Sequence, residues 1–252
     1  MIIRFLGTGV AIPQKDRIQS GILLEDQMDF LLLDCGSGTL NRINDENIKH
    51  TSINKILLTH LHLDHVSDLL CLVKANHLCG LNELDLYGPT GTLQYIENML
   101  NTYSYLKEKV KVNIKEIEAY EDFIITGTNF RIKAINGIHS VPSLIYRIES
   151  NEKTVVYTGD TEPNSSIIDF ADGADCLIHE CSFPSEFITT NHTNPDMLAQ
   201  VLIEQKDINL SGIILTHLYP HMKGHEKEAI ECLNNSFTGW IKIAEDKMVL
   251  KI

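Results

Sequence analysis

The chain has 252 residues, 43% hydrophobic and 22% charged, a size and balance that suit one α/β domain with a substantial buried core. Its 21 basic against 34 acidic residues leave a net charge of −13, which argues against a nucleic-acid partner, because that affinity rests on Lys and Arg neutralising phosphates. No apolar run approaches roughly 18 residues, so no membrane partner is expected. Six cysteines without a C-x-x-C pair point to free thiols in a reducing compartment, hence a cytoplasmic setting.

Met1 to Gly9 is short and carries Arg4 inside its apolar run, so it reads as a first strand and not as a secretory signal. Apolar runs of strand length recur at Ile2–Leu6, Gly21–Leu24, Phe30–Asp34, Ile53–Thr59, Glu83–Tyr87, Val110–Glu118 and Phe130–Ile135. They continue at Leu144–Ile148, Thr154–Thr158, Asp175–His179, Gly212–Thr216, Trp240–Ile243 and Met248–Ile252. Helical patterns fall between them at 65–79, 90–101, 164–171, 195–205 and 223–234. Asn194-Pro195 supplies an N-cap followed by a first-turn proline, and Gly224 precedes the last helix. The stretch Lys107, Lys109, Lys111 and Lys115 is interrupted by Glu108 and Glu116 and reads as a solvated face. No repeat or linker divides the chain, so residues 1–252 read as a single domain. Its halves resemble each other, and two mixed sheets packed face to face with helices outside would bury these runs.

The chemistry concentrates at His60-Leu61-His62-Leu63-Asp64-His65, where a buried strand gives way to a helix. In an extended segment His60 and His62 point to the same side, so two imidazoles can grip one ion. Asp64 and His65 come after the bend and face a second point. Imidazole and carboxylate together suit zinc first, with manganese or iron as alternatives. His139, Asp160 and His217 each follow a strand, and each alone would be read as structural: Asp160 as a turn cap, His217 as a hydrogen-bonded core imidazole. Taken with the cluster at 60–65 they complete seven ligands, the number that two ions need. His221 and His225, four apart, could hold metal on a helix, but a solvated helix start is the simpler reading.

The order H-x-H-x-D-H, His, Asp, His resembles the metallo-β-lactamase superfamily. Phe5-Leu6-Gly7-Thr8-Gly9-Val10-Ala11-Ile12-Pro13, Leu33-Asp34-Cys35-Gly36-Ser37-Gly38-Thr39 and Tyr157-Thr158-Gly159-Asp160-Thr161 resemble its ribonuclease Z branch in particular. The resemblance implies a four-layer αββα sandwich with two metal ions. It implies that His60, His62 and His139 hold one ion, that Asp64, His65 and His217 hold the other, and that Asp160 bridges them. Asp160, where well-known β-lactamases have Cys, and His62, where diiron oxygen reductases have Glu, point to a bridged di-metal hydrolase. His179-Glu180-Cys181-Ser182 and His192-Thr193-Asn194 resemble the family's paired Glu and His motifs in modified form. By that likeness Glu180 orients His192, and His192 protonates or stabilises the leaving oxygen. Asp64 would align or deprotonate the attacking water.

Three departures bear on substrate. Only 21 positions separate His139 from Asp160, too few for the tRNA-gripping arm of ribonuclease Z. Leu218-Tyr219-Pro220-His221-Met222 stands where that branch has a Ser-x-Arg-Tyr element, and Leu63 replaces a Gly. The expectation is therefore a di-metal phosphodiesterase acting on a small or cyclic phosphate ester. Its alternatives are a tRNA 3′-end endonuclease, a thioester or lactone hydrolase of the glyoxalase II type, and a metal-holding binding protein without turnover. A homodimer is left open.

Overall fold

The computed structural model describes residues 1–205 and 207–252. Strands β1 (Ile2–Gly7), β2 (Gly21–Asp26), β3 (Asp29–Leu33), β4 (Lys55–Leu57), β5 (Glu83–Pro89) and β6 (Lys111–Ile117) form the first sheet, antiparallel through β3 and parallel from β3 to β6. Strands β7 (Asp122–Ile124), β8 (Arg131–Asn136), β9 (Leu144–Ser150), β10 (Lys153–Tyr157), β11 (Cys176–Glu180), β12 (Gly212–Thr216) and β13 (Trp240–Ile243) form the second. That sheet is antiparallel through β10 and parallel beyond it. The chain then returns to the first sheet, where β14 (Val249–Lys251) pairs antiparallel with β1.

Side chains alternate along each strand, and the alternation builds the layers. Ile22, Leu24, Leu31 and Leu33 face inward to a core shared with Ile148, Val155 and Ile178 of the second sheet. Leu23 and Leu32 face out, beneath the helix Leu69–Leu78 and its neighbours, while Leu177 and Ile213 lie beneath the helices Ser165–Phe170, Pro195–Glu204 and Glu226–Asn234. This is the expected four-layer αββα sandwich. Among the described residues no helix is long and apolar enough to cross a membrane.

Several expectations need correction. The helical pattern at 65–79 is two helices, Leu63–Val66 and Leu69–Leu78, because the Asp68 backbone N–H turns aside to donate to the Cys35 carbonyl at 3.0 Å. The Asp68 side chain meanwhile accepts from the N–H groups of Gly38 and Leu40, both at 3.0 Å, and so starts a helix at Thr39–Asp45 that local sequence does not announce. Strand β7 and the single turn Ser104–Lys107 were also unforeseen, both too short to show a period. His221 and His225 do not share a helix: His221 lies in the 3-10 turn Pro220–Met222, and His225 precedes Glu226–Asn234 with Nδ1 donating to Glu228 at 2.8 Å. Three members of the lysine stretch have local partners, Lys107 on Asn101, Lys111 on Glu83 and Lys115 on Glu121.

Candidate metal centre

Strand ends deliver the donor atoms. The segment after β4 carries His60 and His62, the short helix Leu63–Val66 carries Asp64 and His65, and the loops after β8, β10 and β12 carry His139, Asp160 and His217. His60 Nε2 and His139 Nε2 each lie 3.1 Å from His62 Nδ1, and Asp160 Oδ2 lies 3.7 and 3.9 Å from the first two. A second group forms on the other side of the same carboxylate. His65 Nε2 and His217 Nε2 are 3.3 Å apart, each is 3.3 Å from Asp160 Oδ1, and Asp64 Oδ2 is 3.4 Å from His217 Nε2. Tetrahedral ligands at roughly 2.0–2.1 Å from an ion stand about 3.3–3.4 Å from one another, so both groups have the spacing of a ligand set.

The electrostatics fit a cation as well. Asp160 Oδ1 is buried and has no hydrogen-bond partner among the described residues, a costly state for a carboxylate oxygen unless an ion answers it. Burial, reinforced by the neighbouring imidazoles, holds His60 and His62 below the usual histidine range, which leaves neutral rings with a lone pair to offer. His65 is buried too, yet Asp160 and Asp34 outweigh burial and push it well above that range. The surroundings therefore call for positive charge beside His65. Burial works against ionised Asp64, but the neighbouring His217 and His65 imidazoles prevail and hold the carboxyl well below its ordinary value.

Ring orientation is fixed by partners that sequence reasoning did not assign. Asp34 accepts the Nδ1–H of His65 at 2.8 Å, the Tyr157 hydroxyl at 2.8 Å and the Thr59 N–H at 2.8 Å. Thr59 Oγ1 donates to Asp34 at 2.9 Å and accepts from His60 Nδ1 at 3.0 Å. His139 donates from Nδ1 to the Asn191 carbonyl at 2.8 Å, and His217 donates from Nδ1 to Ser182 Oγ at 3.2 Å. Each of these four rings thus carries its proton on Nδ1 and aims Nε2 inward, while His62 alone aims Nδ1. Backbone strain sits here as well: Asp34 and His217 both have φ +56. Gly36 and Gly159 permit the closure, since a Cβ on Gly36 would stand 2.0 Å from the Asp64 carbonyl and one on Gly159 2.6 Å from Thr59. An Asp ending an apolar strand just before a Cys-Gly turn was the available signal for Asp34.

Glu180 and His192 come together as well. Glu180 is wholly buried and accepts from the Thr161 N–H at 2.9 Å, the Thr193 N–H at 3.1 Å, Ser182 Oγ at 2.6 Å and His192 Nδ1 at 2.9 Å. Burial lowers the affinity of His192 for its proton, but the bond to Glu180 prevails and raises it. The His192 ring stacks at 5.8 Å on His217, so this pair flanks the second donor group. Ser182, unassigned from sequence, links Glu180 to His217.

The wider likeness agrees with this layout. The chain is similar to a Methanococcus maripaludis (strain C7) protein named ribonuclease Z, 28% identical over 304 residues with 98% of each chain covered. It is likewise similar to the ribonuclease Z of Bacillus subtilis, 27% identical with 95% of this chain and 97% of that one covered. Among solved structures, the metallo-β-lactamase fold protein YhfI from Bacillus subtilis superposes with a TM-score of 0.83 at 25% identity, covering 99% of this chain and 98% of that one. The short form of human tRNase Z gives 0.81 at 24% identity, covering 100% and 99%. The protein is a metal-dependent hydrolase of the metallo-β-lactamase fold, similar to ribonuclease Z. Within that fold a family model matches residues 1–235, and the chain belongs to the family it describes, the Anti-Pycsar protein Apyc1 family.

Proposed function

We propose that the protein is a di-metal phosphodiesterase acting on a small or cyclic phosphate ester, with zinc as its first-choice metal. The observation that carries the reading is the division of Asp160, whose Oδ2 faces the His60, His62 and His139 nitrogens while its unpartnered Oδ1 faces those of His65 and His217. When bound, a pair of divalent ions supplies Lewis acidity and an activated water at neutral pH. Asp64, ionised and at the edge of the second group, accepts the proton of the attacking water. Glu180 fixes the His192 ring through Nδ1, which leaves Nε2 to protonate the departing oxygen.

The small-substrate reading rests on size and charge. The alignment with the Methanococcus protein runs over 304 positions against 252 residues here, so at least 52 of its positions have no counterpart in this chain. A net charge of −13 opposes a long polyanion, whereas two ions can neutralise the one phosphate of a compact diester. The second reading, a tRNA 3′-end endonuclease, draws on the names of the relatives and must be tested beside the first. Zinc-loaded protein is expected to turn over bis(p-nitrophenyl) phosphate or a cyclic nucleotide and to leave tRNA precursors intact. Efficient precursor cleavage at physiological salt would refute the small-substrate reading. Thioester or lactone turnover far above any phosphodiester turnover would move the assignment to acyl hydrolysis.

A further inference from the structure

Glu162 lies just past Asp160 in the chain but belongs to neither donor group. Its main chain and its side chain tie down two different loops. The Glu162 N–H donates to the Ile138 carbonyl at 3.0 Å, and the Ile138 N–H donates to Thr161 Oγ1 at 2.9 Å, so the loop after β10 is laced to the loop that carries His139. The side chain holds a third segment, where Glu162 Oε1 accepts the Asn191 N–H at 2.7 Å. The Asn191 carbonyl in turn accepts the Nδ1–H of His139 at 2.8 Å. A carboxylate, a residue of backbone and an imidazole thus stand in series, and the series ends at a nitrogen that faces His62 and Asp160.

Asn191 makes this link from an uncommon conformation. Its φ is +63, in the left-handed region that asparagine tolerates better than most residues. Its Cα joins two planar peptide groups, one offering an N–H to Glu162 and the other a carbonyl to His139, so fixing the first limits how the second can turn. Chain beyond Asn191 is secured by Glu180, which accepts the Thr193 N–H at 3.1 Å. Chain before it has weaker support. Ile188 is wholly exposed, and the bonds that brace the stretch are local: the Phe187 N–H on the Pro184 carbonyl at 3.0 Å and the Asn194 amide on the Phe187 carbonyl at 2.9 Å. A hydrogen bond to a carboxylate is roughly twice as strong as a neutral one, so Glu162 acts where other restraints are few.

We infer that Glu162 is a positioning residue for the first donor group: by clamping the Asn191 backbone it keeps the proton of His139 on Nδ1 and turns the Nε2 lone pair toward His60 and His62. His192, the next residue, has its own anchor in Glu180, so the clamp acts on His139. The inference rests on the metal-centre reading for its consequence, whereas the clamp on the loop stands without an ion.

Two measurements on the full chain test it, each with Glu162→Ala, which removes the acceptor, and with Glu162→Gln, whose Oε1 keeps one. In zinc competition against a chromophoric chelator, the alanine variant is expected to hold one of its two ions about 10-fold more weakly, the low end of the effect of losing an outer partner of a ligating imidazole. The glutamine variant is expected to retain most of the affinity. In limited digestion of the purified protein with chymotrypsin, cleavage after Phe187 is expected to rise about 10- to 100-fold in the alanine variant, the worth of one hydrogen bond to a charged group, and far less in the glutamine variant. Wild-type zinc affinity in Glu162→Ala would overturn the proposal, and so would wild-type cleavage. A glutamine variant as impaired as the alanine one would overturn it too, because the acceptor would then not be what matters. Wild-type protein that binds no zinc counts against the metal centre instead, and the digestion still decides the clamp.

Discussion

Asp34→Asn is nearly isosteric, yet it should weaken one of the two proposed metal sites. The carboxylate accepts the Thr59 N–H on Oδ1 at 2.8 Å and the His65 Nδ1–H on Oδ2 at 2.8 Å. Backbone cannot turn away, so the new amide must present its carbonyl to Thr59 and its NH2 to His65. His65 then accepts on Nδ1 and carries its proton on Nε2, the atom aimed at His217 and Asp160 at 3.3 Å. A protonated Nε2 cannot ligate. Loss of an orienting partner of this kind weakens metal binding or activity by about 10- to 100-fold, or roughly 1.4–2.7 kcal/mol. Tyr157, which also donates to Oδ2, loses its acceptor, adding about 1–3 kcal/mol of folding cost. That is a fraction of the roughly 5–15 kcal/mol typical of a native protein, so the variant should stay folded at room temperature with a lowered Tm. Zinc competition with a chromophoric chelator, read against elemental analysis, should show two unequal ions. The one facing His65, His217 and Asp64 should be weakened, and the one facing His60, His62 and His139 retained. Wild-type affinity for both ions, or first loss of the ion facing His60, would refute the tautomer argument.

Asp160→Ala should lose both ions or leave one loosely held, since the carboxylate faces both donor groups; wild-type protein that holds fewer than two ions in metal-replete buffer would sink the di-metal reading. His62→Ala should abolish hydrolysis yet leave a folded chain by circular dichroism, because the ring is only half-buried and belongs to no apolar cluster; outright unfolding would make the site structural as well. His192→Ala should slow esters of poor leaving groups by about 10²- to 10⁴-fold and p-nitrophenyl esters less, and equal losses on both would remove the general-acid role. The bond to Glu180 raises the pKa of His192, so the acid form persists to higher pH and the rate falls as pH rises through that value. Glu180→Gln should move this alkaline limb to lower pH, and a limb that does not move would assign it to another group.

Much was legible in the sequence because local pattern and local chemistry coincided. Short apolar runs such as Ile2–Leu6 and Gly212–Thr216 mark strands by length and composition, and Asn194 caps Pro195–Glu204 by accepting the Met197 N–H at 2.9 Å, within three residues of itself. The candidate metal motif could be read for the same reason: His60, His62, Asp64 and His65 are neighbours in the chain, and their spacing alone groups the side chains. The sharing of Asp160 between two donor groups, the Asp34 network that fixes the His65 tautomer, and the capping of Thr39–Asp45 by Asp68 could not be read this way. Each joins residues 21 or more positions apart, and only the tertiary fold brings them within hydrogen-bond range or close to it. Sequence selected the residue types for the centre, whereas tertiary packing decided which nitrogen of each ring faces inward, because a proton's place on an imidazole is set by whatever lies against its other nitrogen.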